Sequence, residues 1–242
     1  MGTILAQVSI VGHGVAAALF AALAIWQFQR AVARNATQIS LIVALSLTSF
    51  WALSVCVEGA FVPISNFAES IRNLAWLSFM FILLRTGEGR DEPKMVNIIY
   101  VALTFVLVGQ IVVDSFIPIF DGSPRLVSMA TYTAVVMRML FAVGALVLVH
   151  NLYSISAPET RWGIRLPMAS LAAIWTYDLN LYTITYLSQQ MPIELIAMRG
   201  PAIACIAPLM ALASVRNTNW NLKLSRSVAF RSLSLVAIGG YL

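Results

Sequence analysis

The residues in this chain most able to do chemistry are the few charged ones that fall inside long apolar runs. Arg138 and Asp178 lie deep within two such runs. An Arg or Asp at mid-bilayer depth costs about 2.5 to 3.5 kcal/mol on insertion scales, so such a residue faces a bundle interior and has a partner. At ~1.5 Å per residue, Arg138 sits about 18 Å below the outer end of its helix and Asp178 about 14 Å below the outer end of the next. These depths agree within side-chain reach, so we expect an Arg138 to Asp178 ion pair between neighbouring helices. Two roles stay open for it: holding helix register, or sensing a ligand or a proton.

Around Asp178, Trp175, Tyr182 and Tyr186 recur at helical spacing, with Tyr177 and Asn180 beside them. One helix face is thereby lined with aromatic and polar groups. Trp175, Tyr177, Asn180 and Tyr182 make a candidate pocket, while an interfacial aromatic belt accounts for Tyr186. Glu69, Arg72, Asn73 and Trp76 follow at offsets of three, four and seven, which puts them on one stripe of another helix. Glu58, Asp114, Glu194 and Arg199 fall at comparable depth. Glu58, Glu69, Arg72, Asn73, Asp114, Glu194 and Arg199 therefore form a candidate outer vestibule for an extracytoplasmic ligand, the alternative being a set of satisfied interfacial ion pairs.

Other chemistries find no support. Both lysines, Lys94 and Lys223, fall in loops, so a retinal Schiff base inside the bundle is excluded. His13 and His150 lie at opposite ends of different helices, without a second His or Cys at ligand spacing, so no metal site is expected. No glycine-rich phosphate loop, nucleophile elbow or zinc helix is present. We expect no catalytic residue and no cofactor within this chain.

The elements that must position these groups are membrane helices. Of the 242 residues, 60% are hydrophobic and 10% charged, and the mean hydropathy is +0.85. Soluble domains carry roughly 25% charged residues. The net charge of +5 is dispersed over short loops, which suits lipid headgroups and topology rather than nucleic acid. Cys56 and Cys205 fall inside apolar runs and imply no disulfide framework. The fold class read from this pattern is all-α, a single polytopic transmembrane helix bundle over 1–242. Seven complete spans are expected, at Val8–Phe28, Gln38–Val57, Asn66–Leu84, Val96–Asp114, Leu126–Leu148, Arg165–Leu187 and Leu195–Val215. An eighth apolar run opens near Ala229 and reaches Leu242 short of the roughly 20 residues a span needs. We expect a truncated eighth helix and hence an N-terminal fragment of a longer protein, the alternative being a short interfacial helix.

Basic residues collect in alternate loops: Arg30 and Arg34; Arg85, Arg90 and Lys94; Arg161 and Arg165; Arg216, Lys223, Arg226 and Arg231. The opposite loops hold only Arg125. Because cytoplasmic loops retain Lys and Arg, this places the N-terminus outside. In the seventh span Gly200, Pro201 and Pro208 predict a kink. In the first, Gly12 and Ala16, then Gly14, Ala18 and Ala22, make a small-residue ridge suited to internal packing.

The stretch His150 to Arg165, HNLYSISAPETRWGIR, followed by Tyr177-Asp178-Leu179-Asn180-Leu181-Tyr182, resembles the membrane region of the PrsK family of sensor histidine kinases of the PEP-CTERM, exosortase-associated system. Met198-Arg199-Gly200, Arg216-Asn217 with Trp220, Ser225-Arg226 with Phe230, and Gly240-Tyr241-Leu242 are similar to that family's continuation. The likeness runs over about Val149 to Leu242; the first half matches mainly in hydropathy. It implies a multi-pass protein of the bacterial inner membrane whose cytoplasmic domains, beyond Leu242, bind ATP and Mg, dimerise, and pass phosphate from a histidine to a response regulator controlling exopolysaccharide and PEP-CTERM genes. Neither His13 nor His150 stands in a dimerisation-box context, so the family's catalytic residues map to no position here. The rival reading is a small transporter or polysaccharide-export component, with the same buried charges lining a substrate path.

Overall fold

The computed structural model describes residues 2–30, 35–60, 62–85, 94–120, 122–156 and 158–216. Within them the chain forms seven α-helices: α1 (Gly2–Arg30), α2 (Ala36–Glu58), α3 (Pro63–Arg85), α4 (Lys94–Phe116), α5 (Pro124–Ile155), α6 (Pro158–Ser188) and α7 (Ile193–Arg216). A 3-10 turn, Ile117–Phe120, follows α4. Each expected span lies inside one of these helices. The helices run longer than the apolar stretches because backbone hydrogen bonding continues into the polar ends, as at α2. There Asn35 Oδ1 accepts from the Gln38 backbone N–H at 2.8 Å, and Gln38 Oε1 accepts from the Asn35 N–H at 3.3 Å, a reciprocal cap. The eighth apolar run, Arg34, Arg90 and the basic residues after Arg216 lie outside the described residues.

Among the described residues six helices are long and apolar enough to cross a membrane; α6 is not among them by composition. Its 31 residues nonetheless extend about 46 Å between α5 and α7. Its mean hydropathy is lowered by polar residues on more than one face, buried Asp178 and exposed Arg165 and Asn180 among them.

Consecutive helices pack side by side and α1 packs against α7, so the bundle closes on itself. Helix α3 is the most buried of the candidate spans, at 67%, and α4 the least, at 28%. Large apolar side chains point outward, with Phe105 78% and Val101 70% exposed. Arg72, Glu69, Asp178 and Arg199 point inward. A soluble protein seldom exposes so much contiguous apolar surface, whereas a lipid-facing bundle must.

The α1–α7 contact depends on missing side chains. A Cβ on Gly12 would stand 2.1 Å from Pro201 Cδ, and one on Gly200 would stand 2.5 Å from the His13 backbone nitrogen. The Gly12 end of the small-residue ridge thus packs internally, where close backbone approach supplies the dispersion contacts that hold membrane helices together. Helix α7 continues through Pro201 and Pro208, and α6 through Pro167.

Candidate functional site: a buried network of arginines and carboxylates

Three arginines and three carboxylates from five helices meet near one end of the bundle. Arg199 of α7 is the hub. Its guanidinium grips Glu69 of α3 through two hydrogen bonds, Nη2 to Oε1 at 2.7 Å and Nη1 to Oε2 at 3.1 Å. Its Nε donates to Asp178 Oδ1 of α6 at 2.8 Å. The other oxygen of Asp178 accepts from Arg72 Nη2 of α3 at 2.9 Å. Arg72 Nη2 also donates to Asn73 Oδ1 at 3.1 Å, and the Tyr182 hydroxyl donates to Glu69 Oε1. A planar guanidinium can bind one carboxylate by its fork and a second along its edge, which a lysine could not reproduce. The partners come from sequence-distant helices because the odd-numbered helices begin, and the even-numbered ones end, at this end of the bundle.

The expected Arg138 to Asp178 pair is not the one formed. Arg138 Nη2 donates to Asp114 Oδ2 of α4 at 2.7 Å, while Asp178 is held by Arg72 and Arg199. Matching depths left the rotation of each helix undetermined. Helical side chains also lean toward their own N-terminus, so Arg138 reaches back up α5 to Asp114, two residues from the end of α4.

The vestibule residues divide. Glu69, Arg72, Asn73, Asp114 and Arg199 are buried and form the closed network, whereas Glu58 and Glu194 are exposed and stand apart from it. The bundle packs around these residues instead of opening a vestibule: the cavity beside Glu69 and Arg199 is about 10 Å³, room for about one water. Of the four pocket residues, Trp175 and Tyr182 face inward, Tyr177 is half-buried with its hydroxyl donating to the Leu195 carbonyl at 2.6 Å, and Asn180 is exposed. Trp175 Nε1 donates to Asn73 Oδ1 at 3.5 Å, so this face meets α3 directly.

One part of the network has no counterpart in the sequence reading. Trp51 of α2 lies under both inner guanidinium groups, its ring centroid 4.2 Å from Arg72 and 4.7 Å from Arg199. Nε and Nη1 of Arg72 meet no acceptor among the described residues, and the ring face stands where an oxygen would otherwise be needed. His13 of α1 closes the far side with its ring edge-on to Trp51 at 5.6 Å. Depth held the signal: Trp51 lies about 10 Å and Arg72 about 13 Å from the same end of the bundle, counted along their helices. An arginine in lipid depth needs either an anion or an aromatic face.

Among the described residues no group of three or more His, Cys, Asp or Glu is placed to share a metal ion. With equal numbers of opposite charges, the arrangement can hold all seven described helices in one mutual setting, α3 to α7 through its ion pairs and α1 and α2 through His13 and Trp51. Each of the six ionic groups is at most 8% exposed.

Fold and site together define the class: a multi-pass α-helical membrane protein with a polar, charge-paired interior. Scans against protein-family models, curated proteins and solved structures give no match to this chain.

Proposed function

We propose that the chain is the membrane-embedded sensory region of a sensor histidine kinase resembling the PrsK family, seated in the bacterial inner membrane with its N-terminus outside. The observation that carries this reading is the closed charge network. Its six ionic groups are each at most 8% exposed, and the cavity beside Glu69 and Arg199 has room for about one water, which suits tying helices together better than lining a substrate path. That favours transmission over transport, whose sites open toward one side of the membrane in turn. Two discrete arrangements of such a network would differ in helix packing along the whole bundle, and a stimulus binding one better would shift the population.

In this reading α3, α6 and α7 move as a linked set, because Arg199 and Asp178 join them, and α7 carries the change toward the cytoplasm. Basic residues at the ends of α1, α3 and α7, namely Arg30, Arg85 and Arg216, support placing that end inside. The parent protein would act as a homodimer, take ATP and Mg in separate cytoplasmic domains and phosphorylate a response regulator governing exopolysaccharide and PEP-CTERM genes.

The test is phosphate incorporation in proteoliposomes by the protein read from the complete gene. ATP-dependent labelling is expected, and Tyr182→Phe should change its basal level by about fivefold, the lower range of allosteric couplings. Residues 1–242 alone should take up no label. A complete protein that incorporates no phosphate, or whose labelling is indifferent to Tyr182→Phe, would overturn the proposal.

A further inference from the structure

The outer face of α3 carries two lipid-facing grooves, and they differ in one respect. The groove between α3 and α4 has a volume of about 590 Å³ and includes Arg85 and Asn97 in its lining. The groove between α2 and α3, about 490 Å³, is lined by apolar residues and serines with no charged group. Both fall within the ~300 to 1,000 Å³ span of small-molecule sites.

The geometry points to the α3–α4 groove as a binding site for one phospholipid with an anionic headgroup, seated at Arg85 with an acyl chain along α3 and α4. Three observations converge on that occupant. The first is length. From Arg85 to Leu74 on one wall, and from Asn97 to Val108 on the other, the groove extends about 16 Å at ~1.5 Å per residue. This is half of a ~30 Å hydrocarbon core, the depth of a single leaflet.

The second is polarity. Arg85 stands in the last turn of α3, at the helix terminus where a headgroup would lie, and its guanidinium rests 4.5 Å over the Phe81 ring. The ring braces the charge at the mouth, so a phosphate there would meet a placed cation, and Arg85 can share it with its present contacts. The carboxyl-terminal end of the α3 dipole disfavours an anion, and Arg85 offsets it. A zwitterionic headgroup gains less at this position, because its ammonium offsets the attraction of its phosphate to Arg85.

The third is access. The floor, Leu77 and Tyr100, is buried, while the α4 wall, Val101 and Phe105, is exposed along its length. The groove therefore opens sideways into the bilayer, where a lipid enters without crossing protein. The Phe81 and Tyr100 rings meet edge to face at 5.0 Å and make the lower floor rigid, so the slot is preformed. This site is independent of the signalling proposal and would exist in a transporter equally.

The experiment uses residues 1–242, delipidated in micelles and titrated with phosphatidylglycerol or phosphatidylcholine, with bound copies counted by native mass spectrometry. One phosphatidylglycerol is expected to bind about fivefold tighter than phosphatidylcholine, the preference one interfacial arginine confers. Arg85→Gln should erase that preference while retaining binding. Val101→Trp and, separately, Thr104→Trp should fill the groove and displace both lipids, with circular dichroism confirming the helices. Equal binding of the two lipids to the wild-type protein would overturn the proposal, and so would undiminished phosphatidylglycerol binding in folded Val101→Trp or Thr104→Trp protein.

Discussion

Replacing Asp178 by Asn changes almost no volume and removes one charge from the centre of the network. The carboxylate accepts from Arg72 at 2.9 Å and from Arg199 at 2.8 Å, and is 2% exposed. Each charge-assisted hydrogen bond contributes about 1.5 to 3 kcal/mol. An amide retains one acceptor but turns its NH₂ donor toward a second guanidinium that also only donates. Arg199 keeps Glu69, whereas Arg72 is left with Asn73 and the face of Trp51. A buried ion deprived of its partner costs about 3 to 5 kcal/mol. At 1.4 kcal/mol per decade, the unfolding equilibrium should shift by about a hundredfold to three thousandfold. Titration with sodium dodecyl sulfate in mixed micelles reads this directly, because Trp51, Trp76 and Trp175 are all buried and report their surroundings by fluorescence. Arg72→Gln combined with Asp178→Asn should recover about 1 to 3 kcal/mol relative to the sum of the single changes, since the stranded charge is gone. A loss below about 1 kcal/mol for Asp178→Asn, or strict additivity of the pair, would refute the assignment of Asp178 as a shared carboxylate.

Three further outcomes follow from the same geometry. Arg138→Gln and Asp114→Asn should be coupled by about 1 kcal/mol or more in the same titration, while Arg138→Gln and Asp178→Asn add to within about 0.5 kcal/mol. Gly200→Ala should loosen α1 from α7 and destabilise the bundle by about 1 to 3 kcal/mol, because its Cβ meets backbone. Gly109→Ala, whose Cβ would meet only the flexible Met137 Cε at 3.4 Å, should stay within about 0.5 kcal/mol. Tyr182→Phe removes a hydroxyl that donates to Glu69 and should cost about 1 kcal/mol, measured by the shift of the unfolding midpoint.

Hydropathy and charge placed each α-helix among the described residues, because a bilayer admits few solutions: a polar backbone in hydrocarbon must close its own hydrogen bonds, and a span must reach across a fixed thickness. Even α6, the least apolar, was legible from its length and from the basic residues at its start. The same logic singled out Arg138 and Asp178, since an ionic group at depth has to turn inward, while helical spacing and level brought out Glu69, Arg72, Asn73, Asp114, Tyr182 and Arg199 together with Glu58, Glu194 and Asn180, which are exposed.

Pairing was a different matter. Depth is one coordinate, read from residue counting, whereas a partner also requires the rotation of each helix and its neighbours in the bundle. Those were decided by contacts far apart in the chain: Gly12 letting Pro201 approach, Trp51 accepting two guanidinium faces, and α3 turning Glu69 and Arg72 toward α7 and α6. Only their combination sent Arg138 to Asp114 and brought Arg72 and Arg199 to Asp178. The sequence by itself determined that Arg138 and Asp178 must turn inward and at what level each candidate lies along its helix; tertiary packing alone decided which of the others are buried and whom each would meet, because side-chain direction around a helix is set by its neighbours and not by its own hydropathy.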